Sequence, residues 1–165
     1  METKYETLSN GLITKKDELT EEIVNEYFMR YSDTYNLNDK DKESSVSLTQ
    51  SNITNLAEAI KIYHPVMFVS YIDWVKSVRI NEGKPLRIVR ENLELMRDVL
   101  LKKFPNDFQI ILSEYIDAGL SQLAEDFKID SSFIENSSVT EIAKEYLNII
   151  INGNRHLASQ IILNA

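Results

Sequence analysis

Few side chains in this 165-residue sequence can do chemistry, and their types narrow the options quickly. There is no cysteine, which excludes disulfides, thiolate metal sites, iron–sulfur clusters and cysteine nucleophiles. With only 2 histidines, a multi-histidine metal centre is also excluded. His64 precedes Pro65 at a helix junction, where a capping role or donation to a carbonyl suits it better than haem or metal ligation. His156 falls in the first turn of the last helix, where the helix dipole disfavours its charged form; it reads as a surface residue or a contact to something outside the chain. Tyr63, Tyr71 and Trp74 lie within twelve positions. Such aromatics can stack on a planar cofactor, and ordinary core packing explains them equally well. Tyr71, Trp74 and His156 are therefore the candidate cofactor-binding residues. Asp73 is a candidate buried acid, with Glu114 and Asp117 on a later helix, at i and i+3, as possible partners. General acid–base work would need those carboxylates close together. No phosphate-binding loop, G-x-G-x-x-G, H-E-x-x-H, EF-hand loop or G-x-S-x-G is present. The reading is a protein that is not an enzyme and holds no metal.

Lys and Arg number 18 against 26 Asp and Glu, for a net charge of -8 and a pI near 4.8. That balance makes nucleic acid an unlikely partner. A hydrophobic share of 43% excludes wholesale disorder, and 4 Gly with 3 Pro argue against a turn-rich β fold. The length is too short for a TIM barrel or a two-domain Rossmann enzyme. The N-terminus lacks a signal-peptide pattern and no apolar run is long enough to cross a membrane, so the expected location is cytoplasmic. Charge is uneven. Residues 76–103 carry 8 bases against 4 acids, whereas residues 104–165 carry 3 bases against 9 acids. This basic stripe reads either as a docking face or as charges paired with acidic neighbouring helices.

The apolar periodicity predicts an all-α fold, a bundle of about five helices plus two shorter C-terminal ones. The first runs from about Lys15 to Tyr35 on Leu19, Ile23, Tyr27 and Tyr31. The polar stretch Asn36–Ser47 reads as an exposed loop. A second helix covers Gln50–Tyr63. Pro65, Pro85 and Pro105 punctuate the next three, with Gly83 as a stop signal, and these are expected to pack as consecutive antiparallel neighbours. The helix after Pro85 has the clearest pattern, with Leu86, Val89, Leu93, Met96, Leu100 and Phe104 at spacings of three and four. Gly119 inside the helix after Pro105 costs roughly 1 kcal/mol of propensity relative to Ala and would suit a close helix crossing. Residues 1–128 are thus expected to form one helical bundle. A linker, Lys128–Ser138, leads to short helices at Val139–Asn152 and from Arg155, with Asn154 as cap. Residues 139–165 carry more Ile and Leu than two short helices can bury between themselves. They read as the start of a second helical unit, with homo-oligomerisation expected through them.

Two stretches carry a family resemblance. The first is His64-Pro65 through Phe104-Pro105, of the form H-P-x-M-F-x-x-Y-x-x-W-x-K, then G-K-P-L, then L-x-x-M-R. It resembles the N-terminal helical region ahead of the cobalamin-binding module in bacterial B12-binding-domain proteins. The second is Tyr146-Leu147, Ile150, Asn152-Gly153-Asn154-Arg155, Ala158 and Ile161-Ile162-Leu163. It resembles the opening of the small helical cap of methionine-synthase-type modules, with Asn154 where aspartate is customary. The resemblance implies a non-catalytic regulatory or sensory domain of a cobalamin-binding regulator, acting by packing on the cofactor domain or on a regulatory protein. Cobalamin is implied for the full-length protein and not for this fragment, because the family's D-x-H-x-x-G segment, which supplies the lower axial histidine, does not occur here. A globin-like or other helical small-ligand sensor and a ligand-free interaction adaptor are the competing readings.

Overall fold

Six α-helices and no strand make up residues 2–124, the part of the chain that the computed structural model describes. They are α1 (Lys4–Thr14), α2 (Lys16–Tyr35), α3 (Asp39–Lys61), α4 (Pro65–Asn81), α5 (Arg87–Lys103) and α6 (Asn106–Ala124). The all-α bundle is the fold class that the periodicity predicts. The expectations for the linker from Lys128, the helices at 139–165, oligomerisation through them and His156 all lie outside the described residues.

Two local expectations are corrected. Helix α1 was not anticipated. Its apolar signal is short, but Leu8 and Leu12, one turn apart, are wholly buried. A capping box starts it: the Glu6 amide donates to Thr3 Oγ1 at 3.2 Å, and the Thr3 amide donates to Glu6 Oε2 at 2.7 Å. The second correction concerns residues 36–47. Only the first few connect helices, and α3 starts at Asp39 and runs for 23 residues. Asn38 Oδ1 accepts from the Lys40 and Asp41 amides, and Asp41 Oδ2 accepts from the Asn38 amide at 2.9 Å. This second box satisfies orphan amides that an exposed polar segment would otherwise leave to water. The buried stripe of α3 begins with Ser45, Leu48, Thr49 and Asn52 before turning apolar at Ile53, Leu56 and Ile60.

Helix α3 packs against each of the other five helices. Its neighbours α2 and α5 also pack on each other, as do α4 and α6, and α5 and α6. Of the proline-initiated helices, α5 and α6 are the consecutive neighbours expected, whereas α4 packs on α6 rather than α5. The contact explains this. A Cβ on Gly119 of α6 would lie 3.0 Å from Phe68 Cε1 and 3.2 Å from Ile72 Cγ1, so the missing side chain makes room for the buried face of α4. The connection from α4 to α5 can leave the α4 line because Gly83 takes φ 64, the left-handed conformation that ends a helix without Cβ strain. Along α5 the predicted face is the buried one, with Val89, Leu93, Met96 and Leu100 fully enclosed and Leu95 and Val99 widening it. Burial of each such side chain contributes about 1.5–3 kcal/mol.

Candidate functional site

A groove of about 550 Å³ opens between α3 and α4. Its α3 wall is Ser44, Ser47, Ser51 and Asn55, spaced so that one polar stripe faces the opening. These short side chains leave the space that larger ones would fill. The α4 wall carries Tyr71, Trp74, Val75 and Val78 and ends in Arg79 and Glu82. Trp74 is 61% exposed, and its ring centroid lies 6.3 Å from that of Tyr71.

Tyr71 connects the groove to a buried polar chain. Its hydroxyl donates to Asn52 Oδ1 at 2.9 Å. Asn52 Nδ2 donates to Asn92 Oδ1 at 2.8 Å, Asn92 Nδ2 to Thr49 Oγ1 at 2.6 Å, and Thr49 Oγ1 to the Ser45 carbonyl at 2.8 Å. Asn52, Asn92 and Thr49 are almost entirely buried, so each bond replaces one to water and ties α3, α4 and α5 in a single register. Burial pushes the Tyr71 phenol up to about 12, against a smaller opposing effect of Ser51.

Beside the groove lies a second cleft of about 420 Å³, sharing Ser44, Arg79 and Lys84 with it. Tyr27 and Tyr35 of α2 line one side, and both donate to Glu91 of α5, at 3.2 and 2.6 Å. The Arg87 guanidinium sits 3.9 Å from the centroid of the Tyr35 ring, a cation–π contact. The Tyr27 phenol is held well above its usual range by burial and by the Glu91 charge. The Tyr35 phenol is raised chiefly by its hydrogen bond to Glu91.

The structure brings two of the three candidate cofactor-binding residues, Tyr71 and Trp74, together on one groove wall. Tyr63 is elsewhere, at the α3–α4 turn with φ 58, its ring 4.4 Å from Tyr5. The three acids go to separate partners or to solvent. Asp73 accepts from Gln122 Nε2 at 2.8 Å, Asp117 pairs with Arg97 at 2.7 Å, and Glu114 is exposed. His64 takes the N-cap position of α4 through its backbone, without a side-chain capping bond. Its amide donates to the Ala59 carbonyl at 3.0 Å, so the ring is not what caps. Among the described residues no three His, Asp or Glu side chains converge to hold a metal ion, and no helix is long and apolar enough to cross a membrane.

The basic stripe divides. Lys76 is buried and donates to the Gln122 carbonyl, while Arg97 and Lys103 pair with Asp117 and with Glu18 and Glu22. Arg79, Lys84 and Arg87 instead line the two openings. Sequence reasoning missed Asn52, Asn92 and Thr49. The available signal was phase: Ser45, Thr49 and Asn52 continue, at spacings of three and four, the face on which Leu56 and Ile60 are buried. In comparisons with known proteins, no family model, no curated protein and no solved structure matches this chain.

Proposed function

We propose that the chain is a non-catalytic regulatory domain that works by docking a partner protein in the α3–α4 groove, the docked element being an acidic amphipathic helix. The observation that carries this reading is Trp74, 61% exposed on the wall of an open groove that also holds Tyr71 and Arg79. Trp, Tyr and Arg are the residue types that dominate binding energy at protein interfaces. The apolar α4 wall and the short α3 side chains suit the apolar face of an inserted helix. The acidic preference follows from Arg79 and Lys84 at one end of the groove, next to Lys40 and Arg87 of the adjoining cleft, in a chain whose net charge is -8. The resemblance to B12-binding-domain proteins favours a partner from that setting, a cobalamin-binding domain or its regulator.

The test uses two fluorescently labelled 16-residue model helices with identical leucine faces, one carrying Glu and the other Lys at every remaining position. Anisotropy should show saturable binding of the Glu helix, at least tenfold tighter than that of the Lys helix. Trp74→Ala should weaken it at least tenfold. A Lys helix that binds as well as the Glu helix, or binding indifferent to Trp74→Ala, would overturn the reading.

A further inference from the structure

The cleft beside the groove has a composition of its own. Its lining brings four bases, Lys40, Arg79, Lys84 and Arg87, against one acid, Asp41. These residues come from the first turn of α3, the last turns of α4, the α4–α5 connection and the first turn of α5. We infer that this cleft is a binding site for a soluble small molecule bearing a diphosphate group.

Three carboxylates near these bases, Glu91, Asp41 and Glu82, each already have a partner, and Glu82 also feels the charge of Arg79. Glu91 accepts from Tyr27 and Tyr35, and Asp41 accepts from the Asn38 amide. Lys40, Arg79 and Arg87 form no ion pair among the described residues. Lys84 has one, to Glu82 at 2.9 Å, and both side chains are about half exposed, which makes the pair weak and exchangeable. The guanidinium groups of Arg79 and Arg87 offer forked donors suited to phosphate oxygens, and the Ser44 and Ser45 hydroxyls add neutral ones. The excess of three positive charges in the lining comes close to the charge of a diphosphate at neutral pH and exceeds that of one carboxylate. Leu37, Pro85 and Ile88 with the ring of Tyr35 supply an apolar wall for an organic substituent. A volume of about 420 Å³ falls in the range of small-molecule sites. A membrane surface fits less well, because these cations line a concave cleft rather than a protruding face. The protein's overall charge repels anions, so retention here must come from the local donors. The inference does not depend on helix docking in the groove, and either can fail without the other.

The test is calorimetric titration of the full chain with inorganic pyrophosphate at low ionic strength, beside inorganic phosphate and beside sedimentation with phosphatidic-acid vesicles. Pyrophosphate should bind one to one and at least tenfold tighter than phosphate. Arg79→Gln and Arg87→Gln should each weaken it at least tenfold, while Lys102→Gln, on the exposed end of α5 away from the cleft, should leave it unchanged. Far-UV circular dichroism and the thermal midpoint of each variant check folding. Absence of saturable heat, equal weakening in all three variants, or retention on vesicles without binding of free pyrophosphate would overturn the inference.

Discussion

Gly119→Ala sets two effects of similar size against each other at the contact that decides which helices are neighbours. Replacing a mid-helix glycine by alanine stabilises α6 by about 1 kcal/mol through backbone entropy. The added Cβ would lie 3.0 Å from Phe68 Cε1, 3.2 Å from Ile72 Cγ1 and 3.4 Å from Phe68 Cδ1. Neither neighbour can yield easily, because Phe68 and Ile72 are both fully buried and packed on the far side. Overpacking of this kind costs about 1–3 kcal/mol. The crowding therefore wins, and the net effect is a destabilisation of about 1 kcal/mol, which corresponds to a fall of about 3–4 °C in Tm. Urea unfolding followed by circular dichroism reads it directly. A cycle with Phe68→Leu isolates the cause: with the ring gone, Gly119→Ala should become at least 0.5 kcal/mol less costly, on the order of a coupling between touching residues. If Gly119→Ala instead stabilises the protein by about 1 kcal/mol, the propensity gain stands alone and the close crossing of α4 on α6 is wrong.

Three further outcomes are expected. Leu93→Ala, at a fully enclosed position of α5, should cost about 2–5 kcal/mol in urea unfolding, and a change below about 0.5 kcal/mol would mean that this face is not the buried one. In a spectrophotometric titration, Tyr27, Tyr35, Tyr71 and Tyr115 should ionise above the ordinary phenol value, Tyr71 near 12. The sign follows from folding raising these values. Their contribution to stability is complete below about pH 10, where both folded and unfolded phenols are neutral, and for Tyr71 is lost as pH rises through about 12, so alkali should unfold the bundle. A single ionisation step near 10 with helicity intact would contradict it. Hydroxocobalamin titrated into residues 1–165 should give no saturable change in absorbance or heat, and stoichiometric binding at micromolar protein would contradict the expectation that these residues hold no cobalamin.

Much of the helical frame was legible in the sequence because its punctuation is strong. Pro65, Pro85 and Pro105 sit before or at helix starts and Gly83 at a stop, so α4, α5 and α6 stand where the pattern places them. Helix α1 was obscured because Tyr5, Leu8 and Leu12 are interrupted by Asn10 and Gly11, and its stability comes from the Thr3 cap and from packing on α3. The start of α3 was misread for the opposite reason. Its charged residues and serines look like a loop, while Asn38 with Asp41 forms a capping box and Thr49 and Asn52 are buried by bonding to one another's neighbours rather than to water. Tyr71 and Trp74 were visible as an aromatic pair. Their groove was not, because its other wall is the serine stripe of that same misread helix. The cationic cleft draws on α2, α3, α4 and α5 at once, and no one-dimensional spacing shows which helices meet.

Trp74 is the only tryptophan in the chain, so its emission reports on the groove and on nothing else. The most direct test of the docking account follows that emission, and its quenching by acrylamide, while the unlabelled Glu model helix is added. The account predicts a saturable shift to shorter wavelength and a loss of quenching, with the same midpoint as the anisotropy change of the labelled helix. Binding seen by anisotropy with Trp74 emission and quenching unchanged would place the partner elsewhere and contradict the account.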